Sequence, residues 1–104
     1  MKSLGRRPPD QLDGAQVIEW FYSVDSFWEI VSETGEPRKC HGQAICRYEG
    51  SDIFFRFTCA FDWDVIADTD YDNIEDAKMA AHELYNIPAD AWIRVLSARQ
   101  DQSP

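Results

Sequence analysis

The feature that most constrains the fold is a pair of apolar segments, 44–48 and 53–61, on either side of the turn sequence Glu-Gly-Ser-Asp at 49–52. Glycine followed by serine in a two-residue loop is typical of a type II′ β-hairpin, with glycine at the first central position. The predicted register pairs Tyr48 with Ile53, Cys46 with Phe55 and Ala44 with Phe57; these residues and Cys59 share one face, and Ile45, Arg47, Phe54 and Arg56 share the other. The first face is apolar throughout, which predicts a sheet that packs against helices.

The segments before the hairpin predict a strand and then a helix. Residues 15–24 are rich in β-branched and aromatic side chains, which favour a strand. Ser26 and Glu29 have the spacing of a capping box, so a short helix is expected to follow Ser26 and to end near Gly35. The alternative is a second strand that pairs with 17–23 through a turn at 24–26. The sequence leaves open whether 17–34 is a strand and a helix or a hairpin.

The segments after the hairpin predict a strand, a second helix and a final short strand. Trp63, Val65 and Ala67 alternate with Asp64 and Ile66, which indicates a strand. Residues 73–86 predict a helix that Asn73 caps and Pro88 ends, with a buried stripe of Ile74, Ala77, Ala81, Leu84 and Tyr85. Residues 91–96 favour a strand over a terminal helix.

Together these elements predict an α+β fold in the order β-α-β-β-β-α-β. An antiparallel sheet of four to five strands would carry two helices on one face. We expect a flexible N-terminal arm at 1–13, one domain at 14–96 and a flexible C-terminal tail at 97–104.

The charge balance restricts the kinds of partner. The net charge is −9, and from residue 10 onward the chain has 7 basic and 19 acidic residues, a net of −12. Nucleic acids and anionic membranes need lysine and arginine to neutralise phosphate, so neither is an expected partner. Acidity that serves only solubility is the competing interpretation. Three cysteines without a CxxC pair, and no signal peptide or apolar span, predict a cytoplasmic protein with reduced thiols.

The acidic residues concentrate in one stretch, 62–76, which holds seven carboxylates and no basic side chain. Glu75 and Asp76 are explained by the start of the predicted helix, where the helix dipole favours negative charge. Asp72 or Asn73 would be the cap. Asp62, Asp64, Asp68 and Asp70 have no such local explanation.

Part of this stretch resembles the first half of a calcium-binding EF-hand loop, which places oxygen ligands at positions 1, 3 and 5. Asp68, Asp70 and Asp72 have that spacing, but position 6 is Asn73 instead of glycine and position 12 is Met79 instead of glutamate. We therefore predict no metal site here.

The remaining candidate chemistry is equally weak. The residues Cys40, His41, Cys46, Cys59 and His82 include zinc-binding atoms, but their spacing contains no C-x₂₋₄-C clamp. A Cys–His nucleophile pair lacks an accompanying oxyanion element. We predict no catalytic residue and no cofactor, and we favour a protein that is not an enzyme.

The favoured interpretation is a small acidic binding module that docks a basic protein surface. The predicted partner-binding residues are Asp62, Trp63, Asp64, Asp68, Asp70, Tyr71 and Asp72, with the aromatic rings as anchors. In size, charge and compactness the chain is similar to small acidic accessory proteins of bacteria, such as immunity or inhibitor proteins. The alternative is a small dimeric ligand-binding or catalytic domain with a pocket lined by Trp20, Phe57 and Trp92. A homodimer is left open by the sequence.

Overall fold

The predicted hairpin lies at the centre of a curled, antiparallel half-barrel sheet in the computed structural model, which describes residues 6–31 and 33–95. The strands are β1 (Gln11–Leu12), β2 (Ala15–Tyr22), β3 (Trp28–Val31), β4 (Pro37–Cys40), β5 (Gly42–Arg47), β6 (Phe54–Cys59), β7 (Val65–Tyr71) and β8 (Ile93–Arg94). One α-helix, α1 (Ile74–Tyr85), and a 3-10 turn (Ala89–Ala91) complete the elements of the described residues.

The strand order of the main sheet is β1-β2-β5-β6-β7, and β8 also pairs with β2. Strands β3 and β4 form a separate two-stranded sheet. The prediction of four to five strands with two helices on one face is therefore wrong: the described residues form eight strands and one α-helix, and the fold is mostly β.

The β5–β6 register is confirmed, with Cys46 opposite Phe55 and Ala44 opposite Phe57. The predicted turn geometry is wrong. The Ser51 N–H donates to the Tyr48 carbonyl at 3.0 Å, and Gly50 has φ +80. Glycine therefore occupies the second central position of a turn over 48–51, where a type II turn needs a positive φ.

The first predicted helix is wrong, and so is its alternative pairing with 17–23. Residues 28–31 form a strand that pairs with β4, with Ile30 opposite Arg38. Ser26 does not cap a helix: its hydroxyl donates to the Trp28 carbonyl at 2.7 Å. The rings of Phe27 and Trp28 pack on Tyr85 of α1, with centroids 5.1 and 5.3 Å away. These tertiary contacts override the local helix signal.

The second predicted helix is confirmed, together with its cap. The Asp76 N–H donates to Asn73 Oδ1 at 2.8 Å, and Asn73 Nδ2 donates to Asp76 Oδ2 at 3.3 Å. The helix ends at Asn86, whose φ of 62 is left-handed and whose N–H binds the His82 carbonyl. Ala77 and Ala81 are fully buried as expected, but Leu84 is 54% exposed, so its place in the buried stripe was predicted wrongly.

The sheet is covered on both faces, and α1 packs on the face that was not predicted for it. One apolar cluster contains Leu12, Ala15, Val17, Trp20, Ala44, Cys46, Phe57, Cys59 and Trp63. The other joins Ile45 to Ala77 and Ala81 of α1, and to Ile87 and Trp92. The helix therefore lies over the face that carries Ile45 and Arg56, while the more apolar face is enclosed by the curled sheet and by Trp63.

Parts of the predicted N-terminal arm and of the last predicted strand contact the core. In the predicted arm, Leu12 of β1 is buried and the Arg6 carbonyl accepts a hydrogen bond from Trp63. The predicted tail at 97–104 lies outside the described residues. The last predicted strand corresponds to β8, which is shorter than expected and places Ile93 opposite Trp20. The described part of the chain has no helix with the length and apolar character needed to cross a membrane.

Candidate functional site

The structure divides the acidic stretch into a turn, a sheet edge and a helix start. In the turn, the Trp63 N–H donates to the Ala60 carbonyl at 3.0 Å and the Ala60 N–H donates to the Asp64 carbonyl at 2.9 Å. The Asp62 carboxylate accepts the Asp64 N–H at 3.1 Å. Trp63 has φ +71, a left-handed conformation that is rare for a large side chain. The surrounding contacts must therefore hold this turn in place.

Trp63 supplies those contacts, because its side chain lies in the core and is only 5% exposed. Its Nε1 donates to the Arg6 carbonyl at 3.0 Å, and its ring meets Trp20 edge to face with centroids 6.1 Å apart. The indole also lies against Gly42, where a Cβ atom would be 2.7 Å from the ring. Among the predicted partner-binding residues, Trp63 therefore positions its acidic neighbours and offers little surface of its own.

Asp64 is partly neutralised within the chain. Arg38 Nη2 on β4 lies 2.9 Å from Asp64 Oδ2. This hydrogen bond is the main reason that the pKa of Arg38 is raised. Both side chains are exposed, so the pair has little effect on stability.

The sheet edge carries the acidic groups that remain available. Asp68 and Asp70 lie on β7 opposite Phe57 and Phe55, and both are exposed. Asp72 follows the strand and is exposed as well. Within residues 6–31 and 33–95, none of these three carboxylates forms a salt bridge.

The conformation of Asp68 and Asp70 differs from that of the residues in a calcium-binding EF-hand loop. Asp68 and Asp70 belong to an extended strand, whereas an EF-hand loop wraps its oxygen ligands around the ion. No group of three or more potential metal-binding side chains comes together in the part of the chain that the structure describes.

The side chain of Tyr71 lies on the face of β7 opposite to Asp68 and Asp70, where it contacts a buried arginine that was not predicted from the sequence. Arg56 is 2% exposed, and its Nη2 donates to the Tyr71 hydroxyl at 2.8 Å. Its Nη1 donates to Gln43 Oε1 at 2.8 Å, and Gln43 Nε2 donates to the Thr58 hydroxyl at 2.8 Å. The guanidinium lies 5.6 Å from the Tyr71 ring centroid and 5.5 Å from that of Tyr85.

Arg56 forms no salt bridge among the described residues, and its Nε has no hydrogen-bond partner there. Two aromatic faces and two neutral acceptors therefore stabilise the buried cation in place of a carboxylate. A signal was present in the sequence, since Arg56 alternates with Phe55 and Phe57 at the centre of an apolar strand.

A second charged group under the helix also went unpredicted. Glu19 on β2 is 3% exposed, with Lys78 of α1 at 2.6 Å and Arg94 of β8 at 3.0 Å. The carboxylate thus joins three elements. Its role is structural, because both of its cations come from the chain itself.

The cysteines are placed for packing and not for catalysis. Cys40, Cys46 and Cys59 are all fully buried. Burial raises the pKa of Cys46 to about 12, and it also raises the pKa of Cys40 and that of Cys59. Thiols held in the protonated form are poor nucleophiles.

The residues of the alternative ligand pocket are divided between two apolar clusters. Trp20 and Phe57 lie in the apolar cluster, and Trp92 lies in the cluster under α1. A groove of about 420 Å³ is lined by Met79 and His82 of α1 and by Pro88 and Ala89.

Comparisons with known proteins add no independent constraint on this site. No protein-family model matches the chain, and neither the curated proteins nor the solved structures include a significant match.

Proposed function

We propose that the protein is a non-enzymatic binding module that docks a basic protein surface through β7 and the residue that follows it. The observation that carries this proposal is the exposure of Asp68, Asp70 and Asp72, which have no cationic partner among the described residues. Three uncompensated carboxylates along one segment produce a local negative potential. A basic surface is the partner that this potential favours.

The regular pairing of β7 with β6 supports the proposal because it orders the backbone that carries the carboxylates before a partner binds. Strand β7 pairs with β6 from Val65 to Tyr71. At its end, Tyr71 is hydrogen-bonded to Arg56, and Asn73 caps α1 two residues later. A surface that is already ordered loses less conformational entropy on binding than a flexible loop does.

The neighbouring turn extends the acidic surface. Asp62 is exposed, its carboxylate accepts the Asp64 N–H, and it forms no salt bridge within the described residues. Asp64 is paired with Arg38, so a basic partner would have to compete with that arginine. We therefore assign Asp62 a secondary role and Asp64 a small one.

The competing explanation is that the acidity serves only solubility, and a matched pair of variants separates the two. The test variant replaces Asp68, Asp70 and Asp72 by Asn. The control variant replaces Asp25, Asp52 and Asp90, which are also exposed, by Asn, so the net charge changes equally.

Both variants and the wild-type protein are used as bait in lysate of the native host, at about 20 mM and about 200 mM salt. We expect basic proteins that the wild-type and control baits retain at low salt, that high salt releases, and that the test bait loses at least tenfold. Equal retention by the test and control baits would show that no docking site exists at β7. Retention of no basic protein by any bait would refute the proposal as a whole.

A further inference from the structure

The outer side of β7 is an open sheet edge. In the strand order of the main sheet β7 is terminal, and no described strand pairs with its outer side. Residues 67–70 are all exposed, and within 6–31 and 33–95 no other strand covers this side. Alternate residues of an edge strand direct their N–H and C=O groups away from the sheet, where they are available to another chain.

This edge lacks the usual structural obstacles to strand addition. Natural edges are often blocked by proline, by a bulge or by shortness. Strand β7 has seven residues and no proline, and its pairing with β6 is regular from Ala67 to Tyr71, with the irregularity confined to the start of the strand. The only protection on the exposed part is charge, from Asp68 and Asp70.

Protection by charge is selective. A second copy of the chain that paired edge to edge with β7 would bring carboxylates close to carboxylates, and like charges on neighbouring strands are destabilising. A strand that carries lysine or arginine would gain from the same positions. The charge of β7 therefore disfavours pairing with β7 of a second copy and favours pairing with a strand that carries positive charge.

We propose that the partner contributes an extended basic segment that pairs with β7 as an additional strand of the main sheet. This inference rests on the proposed function and specifies the conformation of the partner. Main-chain hydrogen bonds to the outer side of β7 would supply affinity, and lysine or arginine beside the two aspartates would supply specificity.

The geometry also sets the sequence pattern of the segment. Asp68 and Asp70 lie on the same face of β7, roughly 7 Å apart, because side chains repeat every second residue. The basic residues of the added strand should follow the same period of two. On the opposite face the neighbours are Ala67 and Thr69, which leave room for small or β-branched side chains.

The test is a titration of the full-length, ¹⁵N-labelled protein with two capped peptides at about 20 mM salt. The first is a seven-residue peptide of alternating lysine and threonine. The second has the same side chains, but every amide nitrogen is methylated, so it keeps the charge and loses all backbone donors. Chemical-shift changes give the affinity, and amide exchange at 66–70 reports new hydrogen bonds.

We expect the unmodified peptide to bind at least tenfold more tightly than the methylated one and to slow exchange at 66–70. Replacing Asp68 and Asp70 by Asn should weaken its binding about tenfold, while replacing Asp25 and Asp52 by Asn should not. Equal binding of the two peptides would overturn strand addition and leave the acidic docking surface intact. Binding of neither peptide would also overturn it, whereas the retention experiment with the bait variants tests the docking surface by itself.

Discussion

The contact between Gly42 and Trp63 makes the replacement of Gly42 by alanine a sharp test of the packing described above. Gly42 begins β5, between Tyr22 and Cys59 on the neighbouring strands. A Cβ atom there would lie 2.7, 2.8 and 3.0 Å from three carbons of the Trp63 indole. The optimal carbon–carbon separation is about 3.5–4.0 Å, so the ring must move by about 1 Å.

The size of the effect follows from two opposing terms. Overpacking in a well-packed core costs about 1–3 kcal/mol. Replacing glycine by alanine also stiffens the unfolded chain, which contributes about 0.4–1 kcal/mol of stability at a compatible position. Because Trp63 is held by Trp20 and by the Arg6 carbonyl, it has little freedom to yield. We expect the free energy of unfolding to fall by about 1–2 kcal/mol.

The assay is urea unfolding followed by tryptophan fluorescence, completed as a double-mutant cycle with Trp63→Phe. The clashing carbons belong to the six-membered part of the indole, which extends further from the backbone than a phenyl ring does. In the Trp63→Phe background, Gly42→Ala should therefore lose most of its cost. The reasoning is refuted if Gly42→Ala is as stable as the wild-type protein, or if its cost is the same in both backgrounds.

Two further predictions concern buried ionisable groups. Glu19→Gln leaves Lys78 and Arg94 without their carboxylate and should lower the free energy of unfolding by about 1–3 kcal/mol. This loss is smaller than the roughly 3–5 kcal/mol that follows when one partner of a fully buried pair is removed, because both cations remain partly exposed. The exposed Glu83→Gln is the control, and equal urea midpoints for the two variants would contradict the role of Glu19. Burial raises the pKa of Cys46 from 9.0 to about 12, so as the pH rises the thiol loses its proton in the unfolded chain before it does so in the folded protein. The free energy of unfolding should therefore fall above about pH 9, by up to about 1.4 kcal/mol per pH unit from this thiol. Unfolding free energies measured from pH 8 to 10.5 should therefore fall less steeply in Cys46→Ala, and parallel curves would show that this thiol does not contribute.

Two local signals in the sequence were sufficient to predict parts of the fold. The hairpin register follows from the alternation around the turn at 49–52, and the cap of α1 follows from Asn73 and Asp76. The capping-box pattern at Ser26 was equally local, yet it failed because Phe27 and Trp28 pack on Tyr85, which is more than fifty residues away in the chain. No local pattern contains that contact.

The candidate site was predictable only in part, for the same reason. The acidic stretch was visible in the sequence, but the pairing of Asp64 with Arg38 and the burial of Trp63 depend on how the sheet curls. An aromatic residue between two aspartates suggested a surface anchor and proved to be core. The alternation placed Arg56 on the face opposite Phe55 and Phe57, but the helices were expected on the apolar face, so the burial of Arg56 under α1 was not predicted.

The unequal composition of the two faces of the sheet has a consequence for biosynthesis. On the apolar face, Leu12, Ala15, Val17 and Trp20 pack with the hairpin, and these four residues leave the ribosome before the hairpin does. The other face is covered by α1, Ile87 and Trp92, which are made later than the hairpin. That face carries Gln43, Arg56 and Thr58, whose polar groups water can solvate in the interval. The apolar face of the hairpin therefore has packing partners as soon as it is synthesised, whereas the more polar face is covered later.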